Sequence, residues 1–148
     1  MASGDLVYFM RHGTAEGSSP AGDFGRELTP EGRLSLERRL QALLPKLAVK
    51  KILASPLVRA QQTAEILSRK VGVVVLECEA LASGASSPRE LLALAAADGD
   101  GLALIGHNPE IGEALSLVAG RELAVAPGTL AAVRVDADGF TLAWLDAP

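Results

Sequence analysis

Two arginines and the only two histidines of this chain have the residue types needed for chemistry on an anion. Arg11 and His12 directly follow an apolar run and precede Gly13, whereas Arg59 lies near a helix start and His107 follows another apolar run. A guanidinium group can donate paired hydrogen bonds to phosphoryl oxygens, and a lysine would supply only a point charge. A glycine after His12 permits a positive φ or a close approach of the backbone to a ligand. The residue types therefore favour a phosphate pocket.

Each of these residues also has a purely structural explanation. A single histidine at a strand end is by default a hydrogen-bonded structural residue, and Arg59 alone could be a surface arginine paired with Glu65 or Asp100. The position of both histidines beside a glycine turn or a helix start favours a functional role. Zinc binding is disfavoured, because two histidines without HxH or HExxH spacing provide too few ligands. We therefore expect no metal and no other cofactor.

Alternating apolar and amphipathic segments predict the elements that position these residues. Strands are predicted at residues 6–10, 51–54, 73–77 and 102–105, and a terminal hairpin at 129–135 and 140–145. Helices are predicted at residues 30 to about 44, 55 to about 72, 87 to about 97 and 108 to about 120. Each begins at or just after a Ser, Thr or Asn that is followed by proline. This order predicts an α/β three-layer sandwich: a mainly parallel central sheet, helices on both faces and a C-terminal antiparallel hairpin.

The predicted sheet also places the candidate residues together. Ligands of open α/β sheets bind outside the carboxyl ends of the strands. Arg11 and His12, the segment 55–59, and His107 each follow a different predicted strand. We therefore expect them to converge at one edge of the sheet.

Three blocks of the sequence resemble the signature of the histidine phosphatase superfamily. They are Arg11-His12-Gly13 after the first strand, residues 55–63 (SPLVRAQQT) and residues 106–109 (GHNP). The short length and the segment 26–32 (RELTPEG) look most like the SixA-type phosphohistidine phosphatases. The resemblance implies a phosphoglycerate mutase-like fold, formed by residues 1–148 as a single domain without a cap insertion.

The same resemblance implies a metal-independent phosphatase with a covalent phosphohistidine intermediate. His12 is the expected nucleophile, and Arg11, Arg59 and His107 are expected to hold the phosphoryl oxygens, with Gly13 in the substrate-binding turn. Repulsion from the neighbouring arginines should keep His12 neutral. A SixA-like enzyme would act on a phosphohistidine protein.

Three further residues have weaker assignments. Arg26 matches a basic residue of SixA-like proteins and lines the rim of the pocket in that interpretation, but an exposed, solvated arginine fits the sequence nearly as well. Other branches of the superfamily place a general-acid glutamate after the third strand, where Glu79 falls, although the surrounding sequence does not reproduce their motif. Glu16 is the other candidate acid. Either glutamate could equally be an ordinary loop residue.

Two other functions remain open at this stage. The first is a small-molecule phosphomonoesterase or mutase of the same superfamily, which would need a lid over its substrate. The connections, especially residues 72–87, are too short to predict a lid, so we expect an open pocket that admits a protein-borne phosphate. The second is a phosphate-binding module without turnover, which would not need an intact His12.

Composition excludes several classes of partner. A length of 148 residues suits one domain, and a net charge of −4 without a Lys/Arg block argues against nucleic acid. The longest apolar run, residues 91–97, is too short to cross a bilayer. The first five residues lack a basic region, which predicts no secretory signal and a cytoplasmic protein. Cys78, the only cysteine, is interpreted as a small core residue.

Overall fold

The computed structural model describes residues 5–148, which form one six-stranded sheet and four α-helices. The strands are β1 (Asp5–Arg11), β2 (Lys51–Ala54), β3 (Val75–Glu77), β4 (Leu102–Gly106), β5 (Leu130–Asp136) and β6 (Gly139–Asp146). The helices are α1 (Pro30–Leu43), α2 (Val58–Val71), α3 (Pro88–Asp98) and α4 (Glu110–Ala119), with short 3-10 turns at Asp23–Gly25, Leu44–Lys46 and Glu79–Leu81. Residues 1–4, on which the expectation about a secretory signal partly rests, lie outside the described residues.

The sheet has the strand order β3-β2-β4-β1-β5-β6. Strand β4 pairs in parallel with both β1 and β2, and β2 pairs in parallel with β3. Strand β5 runs antiparallel to β1 and to β6. The predicted mainly parallel sheet with a C-terminal antiparallel hairpin is therefore confirmed, and β1 lies between a parallel and an antiparallel neighbour.

The side chains of β1 alternate between two apolar cores, one on each face of the sheet. Tyr8 and Met10 pack in the core that includes Leu36 and Leu40 of α1 and Ala60, Ala64 and Leu67 of α2. Val7 and Phe9 pack in the core that includes Leu91 and Ala95 of α3 and Ile111, Ala114 and Leu115 of α4. Burial on both faces explains why β1 is continuously apolar, as the sequence predicted for a central strand. These two cores hold the carboxyl end of β1 in a fixed position.

The cap-and-proline pattern predicts two of the helix starts correctly. Thr29 accepts a hydrogen bond from the Gly32 amide and precedes Pro30 of α1. Ser87 forms a capping box with Glu90 at the start of α3. In both cases the small polar side chain satisfies an amide that the first helical turn leaves free.

The predicted starts of α2 and α4 are wrong by two or three residues. Helix α2 begins at Val58 with Leu57 as its N-cap, and Ser55, the predicted cap, lies three residues before this start. Helix α4 begins at Glu110 with Pro109 at the N-cap position, although the Asn108 side chain still accepts a hydrogen bond from the Gly112 amide. Strand β3 is also shorter than predicted and begins at Val75. No helix among residues 5–148 is both long and apolar enough to cross a membrane.

Candidate active site

The turn after β1 fixes His12 in a single tautomer. The Nδ1 atom of His12 lies 2.7 Å from the Gly13 carbonyl oxygen, which can only accept a hydrogen bond. Nδ1 therefore carries the proton, and the Nε2 atom keeps its lone pair, toward which the Arg59 Nε–H donates over 3.3 Å. The imidazole thus has a basic nitrogen directed at the arginine of another strand–helix junction.

The pKa of His12 is lowered from 6.5 to about 4. Burial is the largest cause, and the positive charges of Arg59 and Arg11 lower this pKa further. Repulsion from the arginines, which the sequence led us to expect, contributes to the lowered pKa of His12. Burial of the side chain, which is only 7% exposed, contributes more. At neutral pH the imidazole is unprotonated at Nε2 and available as a nucleophile.

His107, at the end of β4, lies beside His12 with ring centroids 5.1 Å apart. Its Nε2 atom is 2.7 Å from the Ser55 hydroxyl oxygen, which also accepts a hydrogen bond from the Leu57 amide at 3.2 Å. Among the described residues, His107 Nε2 is the one acceptor within reach of the Ser55 hydroxyl hydrogen. The His107 proton is therefore assigned to Nδ1, a buried atom that forms no hydrogen bond with any described residue.

Burial and the neighbouring charges also keep His107 neutral. Its side chain is 3% exposed, and its pKa is lowered from 6.5 to about 3 by burial, then by repulsion from the protonated form of His12 and by the positive charge of Arg59. A neutral His107 with its proton on Nδ1 is a hydrogen-bond donor. The structure therefore gives the two histidines different capacities, one as a base or nucleophile and the other as a donor.

Arg11 presents a second unpaired donor. Its Nη1 atom donates to the Val125 carbonyl at 2.9 Å, which anchors the guanidinium group. Its Nε atom is buried and has no acceptor among residues 5–148. A buried N–H without a partner costs on the order of 1–3 kcal/mol, more for a charged group, so Arg11 and His107 both favour an anionic ligand that accepts from them.

Arg59, in the first turn of α2, is 5% exposed and paired with an aspartate. Its Nη1 donates to the Asp23 carbonyl at 2.8 Å and its Nη2 to the Asp23 carboxylate at 3.3 Å. Neither Glu65 nor Asp100, the partners considered from the sequence, forms this ion pair. The helix dipole disfavours a cation at this position, and Asp23 supplies the compensating negative charge.

Arg26 lies at the rim of the same cluster. It donates from Nη1 to the Asp23 carboxylate at 3.0 Å and from Nε to the Glu16 carbonyl, and 28% of its side chain is exposed. The pKa of Asp23 is lowered, first by the hydrogen bond from Arg26 and then by the Arg59 charge. Asp23 is therefore an anion that links the two arginines. It lies in a loop where the sequence offered no signal for it.

Gly13 is required for packing rather than for a special backbone conformation. It is not among the glycines with positive φ, and a Cβ atom at this position would lie 2.6 Å from Cδ1 of Leu36. Its amide donates to the Thr63 hydroxyl, which in turn donates to the Arg59 carbonyl. The positive φ considered for Gly13 is thus wrong, whereas the alternative, a close approach of its backbone to a ligand, stays a prediction. Thr63 links the His12 turn to α2, a role that its place in the second sequence block did not indicate.

The two candidate acids lie outside this network. Glu16 and Glu79 are exposed, and neither carboxylate forms a hydrogen bond or an ion pair with any residue that the structure describes. Among residues 5–148, no group of three or more His, Cys, Asp or Glu side chains is arranged to hold a metal ion. The chemistry that the cluster can perform is therefore nucleophilic attack by His12 with stabilisation by arginine and histidine donors.

The chain is similar in sequence to a known family and to a known protein. Residues 7–83 match the sequence model of the histidine phosphatase superfamily, branch 1. An uncharacterised protein of Picosynechococcus sp. is 39% identical over 115 residues, which cover 72% of this chain and 68% of that protein.

Two solved structures share the fold over nearly their whole length. A candidate phosphohistidine phosphatase SixA from Agrobacterium tumefaciens superposes with a TM-score of 0.84 at 23% identity, covering 99% of this chain and 100% of that chain. The protein histidine phosphatase SixA in complex with tungstate superposes with a TM-score of 0.82 at 24% identity, covering 97% of each chain. At these identities the structural likeness establishes the fold.

Proposed function

Because the chain belongs to the histidine phosphatase superfamily, whose members include phosphatases that need no metal, we propose that it hydrolyses phosphohistidine through a covalent intermediate on His12. Two features of the same site carry this proposal. His12 is neutral and its Nε2 is unprotonated. Two buried donors, Arg11 Nε and His107 Nδ1, lack an acceptor among the described residues. A phosphoryl group attacked by Nε2 would supply the acceptor oxygens.

The first step forms a bond between His12 Nε2 and phosphorus. The bond between phosphorus and the imidazole nitrogen of the substrate breaks, and that nitrogen keeps the electron pair and takes a proton from solvent. Arg11, Arg59 and His107 donate hydrogen bonds to the phosphoryl oxygens as negative charge spreads over them. Arg59 Nε already points at Nε2 of His12, so a small shift would place it against an oxygen of the arriving phosphoryl group.

The second step returns His12 to its starting state. A water molecule attacks phosphorus and loses a proton, the bond from phosphorus to Nε2 breaks, and inorganic phosphate leaves. The Gly13 carbonyl holds the Nδ1 proton of His12 throughout, which keeps Nε2 directed at the phosphorus. No step requires a metal or a nucleotide.

The carboxylates around the site favour phosphohistidine over alkyl phosphates. An alkoxide leaving group needs a placed proton donor, whose contribution is about 10² to 10⁴ in rate. Asp23, which contacts Arg59, has a lowered pKa and is ionised at neutral pH, and the exposed Glu79 makes no contact that would hold it over the site. Protonation of an imidazole leaving group by solvent avoids this requirement.

Two further features are consistent with a phosphate-bearing substrate. SixA, which has the same fold, is known in complex with tungstate, a tetrahedral oxyanion similar to phosphate. Arg26 lies at the rim beside Asp23, where it would meet an approaching phosphoryl group. We propose that the domain is single and has no cap, so that the phosphate can be carried by a protein.

A panel of three substrates tests this proposal. The catalytic efficiency should be highest on a phosphohistidine peptide and lower, by about 10² or more, on a phosphoserine peptide and on 3-phosphoglycerate, which need the missing acid. Equal or higher efficiency on phosphoserine or 3-phosphoglycerate would instead favour the small-molecule phosphatase. Binding of all three without turnover would favour a phosphate-recognition module.

A further inference from the structure

A groove on the described part of the molecule is lined by Asn108, which follows His107, but not by Arg11, His12, Arg59 or His107 themselves. It has a volume of about 570 Å³ and runs along α4, from the residues before its N-terminal end to the segment after it, with Pro88 of α3 also in its lining. The lining residues used below are Pro88, Pro109, Glu113, Leu117, Glu122 and Leu123. A volume of this size accommodates several side chains of a bound ligand.

We propose that this groove binds the polypeptide that flanks the phosphorylated histidine of a protein substrate, and that it selects a segment containing a basic and an apolar residue. The proposal rests on the proposed function, since it names the partner of the same site. Three observations carry it: the charge of the groove, its apolar floor and its connection to the phosphate site.

The charge of the groove is opposite to that of the phosphate site. Glu113 and Glu122 line the groove, and neither forms an ion pair with any residue between 5 and 148. Arg89 and Arg121 are sequence neighbours of lining residues but do not line the groove or pair with these carboxylates. Two unpaired carboxylates beside an arginine-rich pocket complement a ligand that carries a phosphoryl group and, a few residues away, a Lys or Arg.

The apolar part of the groove accounts for the second residue of the motif. Leu117 is 47% exposed on α4, and Leu123 and the two prolines extend its apolar surface. An exposed leucine that shares the groove with Leu123 and two rigid prolines provides a surface against which an apolar side chain can be buried. A metal ion or a nucleic acid would not use this surface, whereas a polypeptide with mixed side chains would use both parts of the groove.

A shared acceptor connects the groove to the phosphate site. Asn108, which follows His107 and lines the groove, donates from Nδ2 to the Val125 carbonyl at 2.9 Å. The same carbonyl accepts from Arg11 Nη1 at 2.9 Å. The groove wall and the phosphate-binding arginine are thus held by one oxygen atom. Because an extended chain advances about 3.3–3.6 Å per residue, positions a few residues from the phosphohistidine reach the groove.

Two matched peptides test the selectivity without requiring turnover. One carries a histidine flanked by Lys and Leu, and the other has Glu in place of Lys. Binding of the unphosphorylated, fluorescently labelled peptides is measured by anisotropy, and turnover of their phosphohistidine forms is measured in parallel. The wild type should prefer the Lys peptide by about tenfold, the order expected for two exposed ion pairs.

Charge-reversal variants locate the preference. Glu122 lies after α4. Two variants should reduce or invert the ratio between the two peptides: Glu122→Lys, and the double change Glu113→Lys with Glu122→Lys. Asp138→Lys is the matched control, since Asp138 lies in the β5–β6 turn at the opposite end of the sheet, and it should retain the wild-type ratio. Circular dichroism is used to check that each variant is folded. The single variant Glu122→Lys is included because, unlike the double change, it does not place a cation in the first turn of α4.

The outcomes separate this proposal from the proposed function. Turnover of free phosphohistidine reports on the phosphoryl site alone, and its absence would overturn the phosphatase proposal whatever the peptides do. Equal binding of the Lys and Glu peptides to the wild type, or a ratio that Glu122→Lys and the double variant leave unchanged, would overturn the groove proposal even in an active enzyme.

Discussion

Ser55 provides the sharpest test of how the proposed site is held together, because in that proposal it affects the phosphoryl group only through His107. Its hydroxyl oxygen is fully buried, lies 2.7 Å from His107 Nε2 and accepts from the Leu57 amide at 3.2 Å. The change Ser55→Ala removes the group that assigns the His107 proton to Nδ1. We expect Nδ1 to lose its preference for the proton and therefore to donate less often to a phosphoryl oxygen.

The magnitude follows from the two broken hydrogen bonds. A neutral hydrogen bond contributes about 1 kcal/mol net, which corresponds to roughly fivefold in the population of the required tautomer and up to about tenfold in rate. Each buried partner left without its hydrogen bond costs a further 1–3 kcal/mol of stability or so. Ser55→Ala should therefore lower kcat on phosphohistidine by about five- to tenfold and also lower the free energy of unfolding.

Two control variants separate positioning from simple destabilisation. Ser55→Thr keeps the hydroxyl but adds a methyl group to a closed site, so it should lose stability and retain most of kcat. Ser68→Ala removes a hydroxyl of α2 that donates to the Val73 carbonyl, away from the histidines, and should lose stability without a change in kcat. Urea unfolding and steady-state kinetics measure both quantities. A kcat for Ser55→Ala within twofold of the wild type, or an equal loss in Ser55→Thr, would refute the tautomer argument.

Three further predictions address the arginine, the acid and the pH dependence. Arg59→Lys cannot reproduce donation to both His12 and Asp23, so kcat on phosphohistidine should fall on the order of tenfold or more; an unchanged rate would remove Arg59 from the site. Glu79→Gln should leave that rate within about twofold, and a collapse would identify Glu79 as the general acid. Because the pKa values of His12 and His107 are lowered to about 4 and about 3, the unfolded state binds protons first on acidification. The free energy of unfolding should then fall between pH 6.5 and 5, with a slope that approaches about 1.4 kcal/mol per pH unit for each histidine. The fall should be shallower in His12→Gln. Urea titrations that show no fall would contradict the burial of neutral histidines.

The sequence predicts the elements whose signals are local. The apolar run of β1 and the cap-and-proline pairs at Thr29 and Ser87 depend on neighbouring residues, and the structure follows them closely. The same pair at Ser55 misplaces the start of α2, which begins at Val58. The Ser55 hydroxyl also contacts His107, a residue 52 positions away that no local pattern includes.

The sequence likewise predicts one part of the arrangement of the site and not the other. Parallel pairing of neighbouring strands brings their carboxyl ends to one edge, so the proximity of His12, Arg59 and His107 follows from the predicted sheet alone. The contact between Asp23 and Arg59 depends on the path of an irregular loop, for which the sequence offers no periodic signal. The dominance of burial in the pKa of His12 likewise depends on packing that only the folded chain reveals.

The most direct test of the account is to determine whether phosphate becomes covalently attached to His12. The wild type is mixed with phosphohistidine peptide, quenched at alkaline pH within the first turnover and analysed by mass spectrometry of its peptides. We predict one phosphoryl group on His12, carried on Nε2, and no turnover in His12→Ala despite a folded chain. Activity of His12→Ala near that of the wild type, or a phosphoryl group found on His107 instead, would contradict it.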